Sequence, residues 1–143
     1  LEAKDQEYWL VVNDLLLAQA PCPSSAPKLA DAAGLPVALV EGMLQRASRL
    51  GLVVGLAERR YLLIESVDIL LHVAWALAAR SDDGSITVPA FRDAAGIGRK
   101  FCINVLEHFD RCGLTRRLGE RRWLVERHTG TGGNSQATAI EGP

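Results

Sequence analysis

Apolar side chains recur every three or four residues near the start of the chain and again in its middle. The residues that carry this spacing are Trp9, Val12 and Leu16 in the first segment and Leu70, Ala74 and Leu77 in the second. Such spacing places one face of a helix against a core, so the sequence predicts helices over about 5–19 and 67–80. Polar and proline-rich residues after each helix predict turns at 21–24 and 82–85.

The same series of shorter elements follows each turn. In the first copy Ser25 is placed to cap a short helix that Gly34 ends, and a third helix runs to Gly51. The corresponding residues of the second copy are Thr87, Gly96 and Gly113. Two β-prone runs then predict a hairpin in each copy, at 52–56 with 59–64 and at 114–118 with 121–125. This order predicts winged helix-turn-helix units, in a mostly α fold with small β-hairpins (α+β).

The two copies match at a fixed offset of 62 residues. Residues 27–62 and 89–124, aligned without a gap, share 14 identities in 36 positions. A fixed-period match of this kind indicates a duplicated structural unit. We therefore predict two tandem winged helices, over 1–65 and 66–128. The remaining residues, 129–143, are rich in Gly, Thr, Ser and Ala and are predicted to form a flexible tail.

The composition is typical of a globular protein rather than a membrane protein. Of 143 residues, 48% are hydrophobic and 23% are charged, with a formal net charge of −1. That balance argues against a protein that coats nucleic acid or anionic membrane over its whole surface. The apolar runs are too short for a membrane span, and the start lacks a signal peptide. Because the chain begins without methionine, we expect a fragment of a longer protein.

Three cysteines without a CxxC pair fit neither a disulfide framework nor a zinc site. They favour a reducing compartment, and we expect the protein to be cytoplasmic. The repeat places Cys102 opposite Val40 and Cys112 opposite Leu50. Both thiols are therefore predicted to replace aliphatic residues of the core.

The sequence lacks the motifs of an enzyme. Gly96-Ile97-Gly98 resembles the start of a phosphate-binding loop, but it follows a helix and lacks the Lys-Ser/Thr of a P-loop. No nucleophile–histidine arrangement stands out, and the histidines have no metal-ligand spacing. We expect no catalytic residue, metal or cofactor in this fragment.

The copies differ most at the start of the third helix. The first has the uncharged Pro36-Val37-Ala38, whereas the second has Gly98-Arg99-Lys100. Two cations at the positive end of a helix dipole are locally unfavourable unless an anion binds there, to the side chains and to free backbone N–H groups. Gly98, without a Cβ, would let a phosphate approach closely. The alternative is that Arg99 and Lys100 are ordinary solvated charges.

Positive charge is concentrated in the second copy. Residues 91–127 carry nine basic and five acidic side chains, whereas 29–65 carry four of each. On the third helix, Phe101, Val105, Phe109 and Cys112 form the predicted buried stripe. The predicted outward positions are Asn104, Glu107, Asp110 and Arg111.

Two acidic side chains on that outward face disfavour a helix lying in a DNA major groove. Cations at the helix tip and on the hairpin favour structured RNA, whose loops present phosphates and splayed bases. The candidate RNA-binding residues are Arg92, Gly98, Arg99, Lys100, Asn104, His108, Arg116, Arg117, Arg121 and Arg122. His108 is a candidate for a base contact or an ordinary surface histidine. Two alternatives remain, a tandem winged-helix DNA-binding transcription regulator and a protein-interaction scaffold.

Three segments of the second copy resemble the C-terminal winged helix of the SelB family, the bacterial selenocysteine-specific elongation factors. They are VPAFRD at 88–93, GIGRK at 96–100 and LEHFDRCGLTRR at 106–117. The first copy fits the penultimate winged helix of that family. By this resemblance Arg99 and Lys100 match the family's helix-tip cations, and Arg92, Arg116 and Arg117 match its other basic positions.

The resemblance implies the mRNA-binding end of a larger factor whose GTPase and tRNA-binding domains lie upstream. In that family the last winged helix grips the loop of an mRNA hairpin, the selenocysteine insertion element (SECIS), so that selenocysteyl-tRNA is delivered at an in-frame UGA codon. The implied partners are the mRNA hairpin and, through the upstream domains, the ribosome and selenocysteyl-tRNA. No membrane partner is implied, and we expect a monomer.

Overall fold

The computed structural model describes residues 3–126, which form two winged helices in tandem. The first contains α1 (Ala3–Gln19), β1 (Ser24–Ser25), α2 (Ala26–Ala33), α3 (Val37–Arg49), β2 (Val53–Gly55) and β3 (Arg60–Leu63). The second contains α4 (Ile64–Arg80), β4 (Ser85–Ile86), α5 (Val88–Ala95), α6 (Arg99–Arg111), β5 (Thr115–Leu118) and β6 (Arg121–Leu124). The predicted fold class is confirmed. The predicted tail at 129–143 lies outside the described residues.

The predicted signals at the ends of the short helices are confirmed. The Ser25 hydroxyl accepts a hydrogen bond from the Lys28 N–H at 3.3 Å, and the Thr87 hydroxyl accepts one from Ala90 at 3.3 Å. These contacts satisfy backbone donors that the first turn of a helix leaves unpaired. Gly34 ends α2 with a φ of 69°, a left-handed conformation that costs a side-chain-bearing residue energy.

Each hairpin belongs to a three-stranded antiparallel sheet, in the order β1-β3-β2 or β4-β6-β5. The two outer strands β1 and β4 lie where the sequence predicts only turns. Ser24 pairs with Tyr61, and Ser85 pairs with Trp123. A two-residue strand has no periodicity to detect, so these strands follow from pairing across the fold. None of the helices in this part of the chain is long and apolar enough to span a membrane.

The two cores contain the predicted apolar faces of the helices, but the prediction for one of the cysteines is wrong. Cys102 is fully buried in the second core, as its position opposite Val40 predicts, and burial raises the pKa of its thiol to about 11. The prediction that Cys112 replaces a core residue is wrong, because Cys112 is exposed at the C-terminal cap of α6. Leu50, its counterpart in the first unit, is itself 58% exposed. The aligned position therefore lies outside both cores.

Strand β3 contributes to both cores at once. Tyr61 and Leu63 pack in the first core, whereas Leu62 packs in the second with Leu56. Because side chains alternate between the two faces of a strand, adjacent residues of β3 serve different units. The strand then continues directly into α4, whose N-cap is Leu63. The two units thus share a strand and its apolar contacts.

We expect Leu62→Ala to lower the free energy of unfolding by about 2–5 kcal/mol, because Leu62 is only 2% exposed. The measurement is urea unfolding followed by circular dichroism, with Leu50→Ala as the control. Both units should unfold in one transition. Two separate transitions in the unaltered chain, or equal stability of both variants, would contradict a shared core.

Candidate nucleic-acid interface

The tip of α6 exposes two cations at a helix N-terminus. Gly98 is the N-cap, in an extended conformation and without a side-chain cap, and Arg99 and Lys100 are the first two helical residues. All three are exposed. A Cβ on Gly98 would lie 3.3 Å from the Phe101 ring, so glycine keeps this corner open. The predicted anion-binding arrangement of N–H groups and side chains is therefore accessible to solvent.

A carboxylate from the first unit already lies at this tip. Glu58 Oε1 is 3.5 Å from Lys100 Nζ, and both side chains are more than half exposed. Desolvation would raise the pKa of Glu58, but the charges of Arg60 and Lys100 outweigh it and hold that pKa below its usual value. The Arg99 side chain makes no hydrogen bond or ion pair with any residue between 3 and 126. The tip thus attracts an anion even without an external ligand.

The hairpin of the second unit supplies a second group of exposed cations. Arg116 and Arg117 lie on β5, and Arg121 lies on β6. Arg117 Nε donates to the Gly119 carbonyl at 2.9 Å, and Arg121 Nη1 donates to Ser85 Oγ at 2.9 Å. These contacts hold two of the three side chains in defined positions.

Arg116 and Arg117 also line a hollow of about 420 Å³ on the hairpin, together with Leu118 and Trp123. Trp123 Nε1 donates to the Asp83 carbonyl at 3.1 Å, which anchors the hairpin to the turn after α4.

Arg122 does not join the exposed cations. It is 3% exposed, and its Nη2 lies 3.0 Å from Asp110 Oδ2. Thr115 Oγ1 donates to Asp110 Oδ1 at 2.5 Å. Because neighbouring residues of a strand face opposite sides, Arg121 points to solvent while Arg122 braces the hairpin against α6. The alternation of side chains along a strand could have predicted from the sequence that Arg121 and Arg122 face opposite sides.

Asn104 is 3% exposed, so the prediction that it faces outward is wrong. Its Oδ1 accepts a hydrogen bond from Arg60 Nη1 at 2.7 Å, across the boundary between the units. The spacing of apolar residues along α6 could not predict this burial, because the side chain that contacts Asn104 is Arg60 of the other unit.

His108 is half-buried on α6, with its Nε2 3.6 Å from Cys112 Sγ. Desolvation lowers the pKa of His108, and the charge of Arg111 lowers it further. Both effects favour the neutral imidazole, which can offer a hydrogen bond but no charge.

Arg92 is exposed in the last turn of α5, which the Gly96 turn connects to α6. The structure therefore forms two accessible cation groups. The tip group consists of Arg92, Arg99 and Lys100, and the wing group consists of Arg116, Arg117 and Arg121. The tip group lies just before and at the start of α6, and the wing group follows the end of α6 along the chain.

Comparison with known protein families finds a match for the part of the chain that carries the tip group and the wing group. Residues 78–124 match the family described as "Elongation factor SelB, winged helix". The matched residues lie within the second unit and make up about a third of the chain. The predicted resemblance is confirmed.

Two relatives are selenocysteine-specific elongation factors. The factor from Escherichia coli K12 is 36% identical over 84 residues, which cover 57% of this chain and 13% of the factor. The factor from Haemophilus influenzae Rd is 25% identical over 100 residues, which cover 70% of this chain and 16% of the factor. The chain thus spans less than a fifth of the length of either SelB relative.

Two solved structures have the same architecture. The mRNA-binding domain of E. coli SelB, determined in complex with SECIS RNA, aligns with a TM-score of 0.79 and 27% identity, over 88% of this chain and 100% of that domain. A bacterial selenocysteine-specific elongation factor aligns with a TM-score of 0.67 and 18% identity, over 87% of this chain and 20% of the factor. The second likeness shows the fold alone. The first matches both SelB-like units to an RNA-binding domain rather than to a catalytic one.

Asp110→Ala should destabilise the SelB-like unit by about 3 kcal/mol, because it leaves the Arg122 guanidinium buried without its carboxylate. Asp93→Ala, at an exposed position of α5, is the control. Thermal and urea unfolding measure the difference. Equal stability of the two variants would show that the Asp110–Arg122 ion pair does not stabilise the hairpin.

Proposed function

We propose that the chain binds an mRNA stem-loop of the SECIS type through its second winged helix. The observation that carries this proposal is the exposed Arg99-Lys100 pair at the N-terminus of α6, which the first unit replaces with Val37-Ala38. The likeness to the mRNA-binding domain of E. coli SelB, a structure that contains SECIS RNA, supports it.

The chemistry of the two cation groups fits a compact stretch of RNA. At the tip, Arg99 and Lys100 meet phosphate oxygens together with the free N–H groups of the first helical turn. On the wing, Arg116, Arg117 and Arg121 contact the phosphates of a neighbouring stretch. Phosphate contacts fix the register, and sequence preference arises at bases splayed from the loop.

Asn104 and Arg122 are absent from this set of proposed contacts. Each is 3% exposed and already bonded within the protein. Their role in RNA binding is therefore indirect, through the helix and hairpin that they hold.

The role of the whole protein follows from its relatives. We propose that the chain tethers a selenocysteine-specific elongation factor to mRNA in the cytoplasm, so that selenocysteine is incorporated at UGA. GTP hydrolysis and contacts with selenocysteyl-tRNA and the ribosome belong to other domains of that factor. The two winged helices bind rather than catalyse.

Replacing both tip cations, as Arg99→Ala with Lys100→Ala, should weaken binding to a SECIS-type RNA hairpin at least about tenfold, because each charge-assisted hydrogen bond contributes about 1.5 kcal/mol or more. Val37→Ala, at the equivalent position of the first unit, should leave the affinity unchanged. Fluorescence anisotropy with labelled hairpin, and duplex DNA as competitor, measures both.

The salt dependence of the same titration counts the phosphate contacts. The unaltered chain should release about three to five counterions, and the double variant about two fewer. Equal affinity of the double variant and the unaltered chain would contradict the proposal. Preference for duplex DNA over hairpin RNA would favour a transcription regulator.

Glu58→Gln should strengthen hairpin binding about two- to threefold, because the Glu58 carboxylate competes with phosphate for Lys100. Glu41→Gln is the matched control, since Glu41 pairs with Arg59 inside the first unit. Both are measured by anisotropy at low salt. Weaker binding by Glu58→Gln would show that the carboxylate supports the site rather than competing for it.

A further inference from the structure

The hairpin turn of the first unit contacts the first turns of α6. Glu58 and Arg59 have φ values of 62° and 59°, so the turn between β2 and β3 is tight and left-handed. This turn presents Arg60, the first residue of β3, to the second unit. The Arg60 side chain is only 13% exposed.

The Arg60 guanidinium has three partners there. Its Nη1 donates to Asn104 Oδ1 at 2.7 Å, and its Cζ lies 5.0 Å from the centre of the Phe101 ring. The same Nη1 lies 3.2 Å from Glu58 Oε2, and the other oxygen of Glu58 faces Lys100. Burying a guanidinium is costly unless it is paired and hydrogen-bonded, so this set of partners favours one relative placement of the two units.

The repeat shows that this contact is not a by-product of the winged-helix fold. Arg122 occupies the position of Arg60 in the second unit, where it pairs with Asp110 of its own third helix. The first unit has Ser48 in place of Asp110, so its own helix offers no carboxylate at that position. Arg60 instead bonds to Asn104 of the other unit, where the first unit has glycine.

We propose that Arg60 is a positioning residue for RNA binding, which holds the first unit against α6 and thereby fixes the orientation of the helix tip that carries Arg99 and Lys100. This inference rests on the proposed function. The first unit then takes part in RNA binding, because the arrangement of the tip depends on a side chain from its hairpin.

Arg60→Met tests the inference in the complete chain. Methionine keeps apolar contact with Phe101 but removes the charge and the hydrogen bond to Asn104. Hairpin affinity should fall roughly tenfold, as expected if only about a tenth of the molecules keep the binding-competent arrangement. The number of released counterions should stay the same, because Arg60 itself contacts no phosphate. Arg60→Lys, which keeps a charge and a donor, should recover part of the affinity.

Arg59→Met is the matched control. Arg59 is adjacent in the same turn, but it pairs with Glu41 of its own unit. Its replacement should change hairpin affinity less than twofold. Arg60→Met should also weaken binding in a Glu58→Gln background, which excludes an effect that arises only from the released Glu58 carboxylate.

The orientation of the units is measured without RNA. Residual dipolar couplings from the two units should give one relative orientation in the unaltered chain and a different or averaged orientation in Arg60→Met. An unchanged orientation in the variant would overturn the inference, as would unchanged RNA affinity or a loss of about one released counterion, which marks a direct phosphate contact. Failure of the unaltered chain to bind any hairpin would instead overturn the proposed function.

Discussion

The alternation of side chains along β3 is the constraint on which the rest of the structure depends. Tyr61 and Leu63 face the first core, and Leu62 faces the second. A strand with two apolar faces must be covered on both sides, so the first unit cannot bury β3 without the second. This arrangement places the preceding turn, with Glu58 and Arg60, beside the start of α6. The shared strand therefore also determines what surrounds the tip of α6.

Duplication supplied two copies of one scaffold, and a few substitutions gave their hairpin arginines different roles. Arg122 packs inside its unit because α6 carries Asp110, whereas the first unit has Ser48 at that position and Arg60 bonds to Asn104 instead. The arginine at this aligned position thus stabilises the hairpin in the second copy and connects the two units in the first. The near-neutral net charge conceals a similar division, because the excess of basic side chains lies in the second copy.

Sequence reasoning predicted the parts that local rules determine. Periodic apolar residues, the caps at Ser25 and Thr87 and the fixed offset of the repeat led to the correct fold class. The resemblance to SelB came from three motif segments of the second copy. Sequence reasoning failed where the neighbours of a residue come from a distant part of the sequence. Asn104 has a polar side chain on the predicted outward face, and only the other unit's hairpin buries it. The two-residue strands β1 and β4 exist only through pairing with β3 and β6.

The Glu58 carboxylate beside Lys100 explains how two adjacent cations are tolerated at the tip of α6. Lys100 and Arg99 oppose the positive end of the α6 dipole, and Glu58 offsets part of that repulsion from outside the helix. Because the pair is exposed, the ionic attraction is weak and exchanges readily with solvent. A phosphate carries the same charge and can use the backbone N–H groups as well, so it replaces the carboxylate at little cost. The first unit therefore supplies a counter-charge at the tip without burying it.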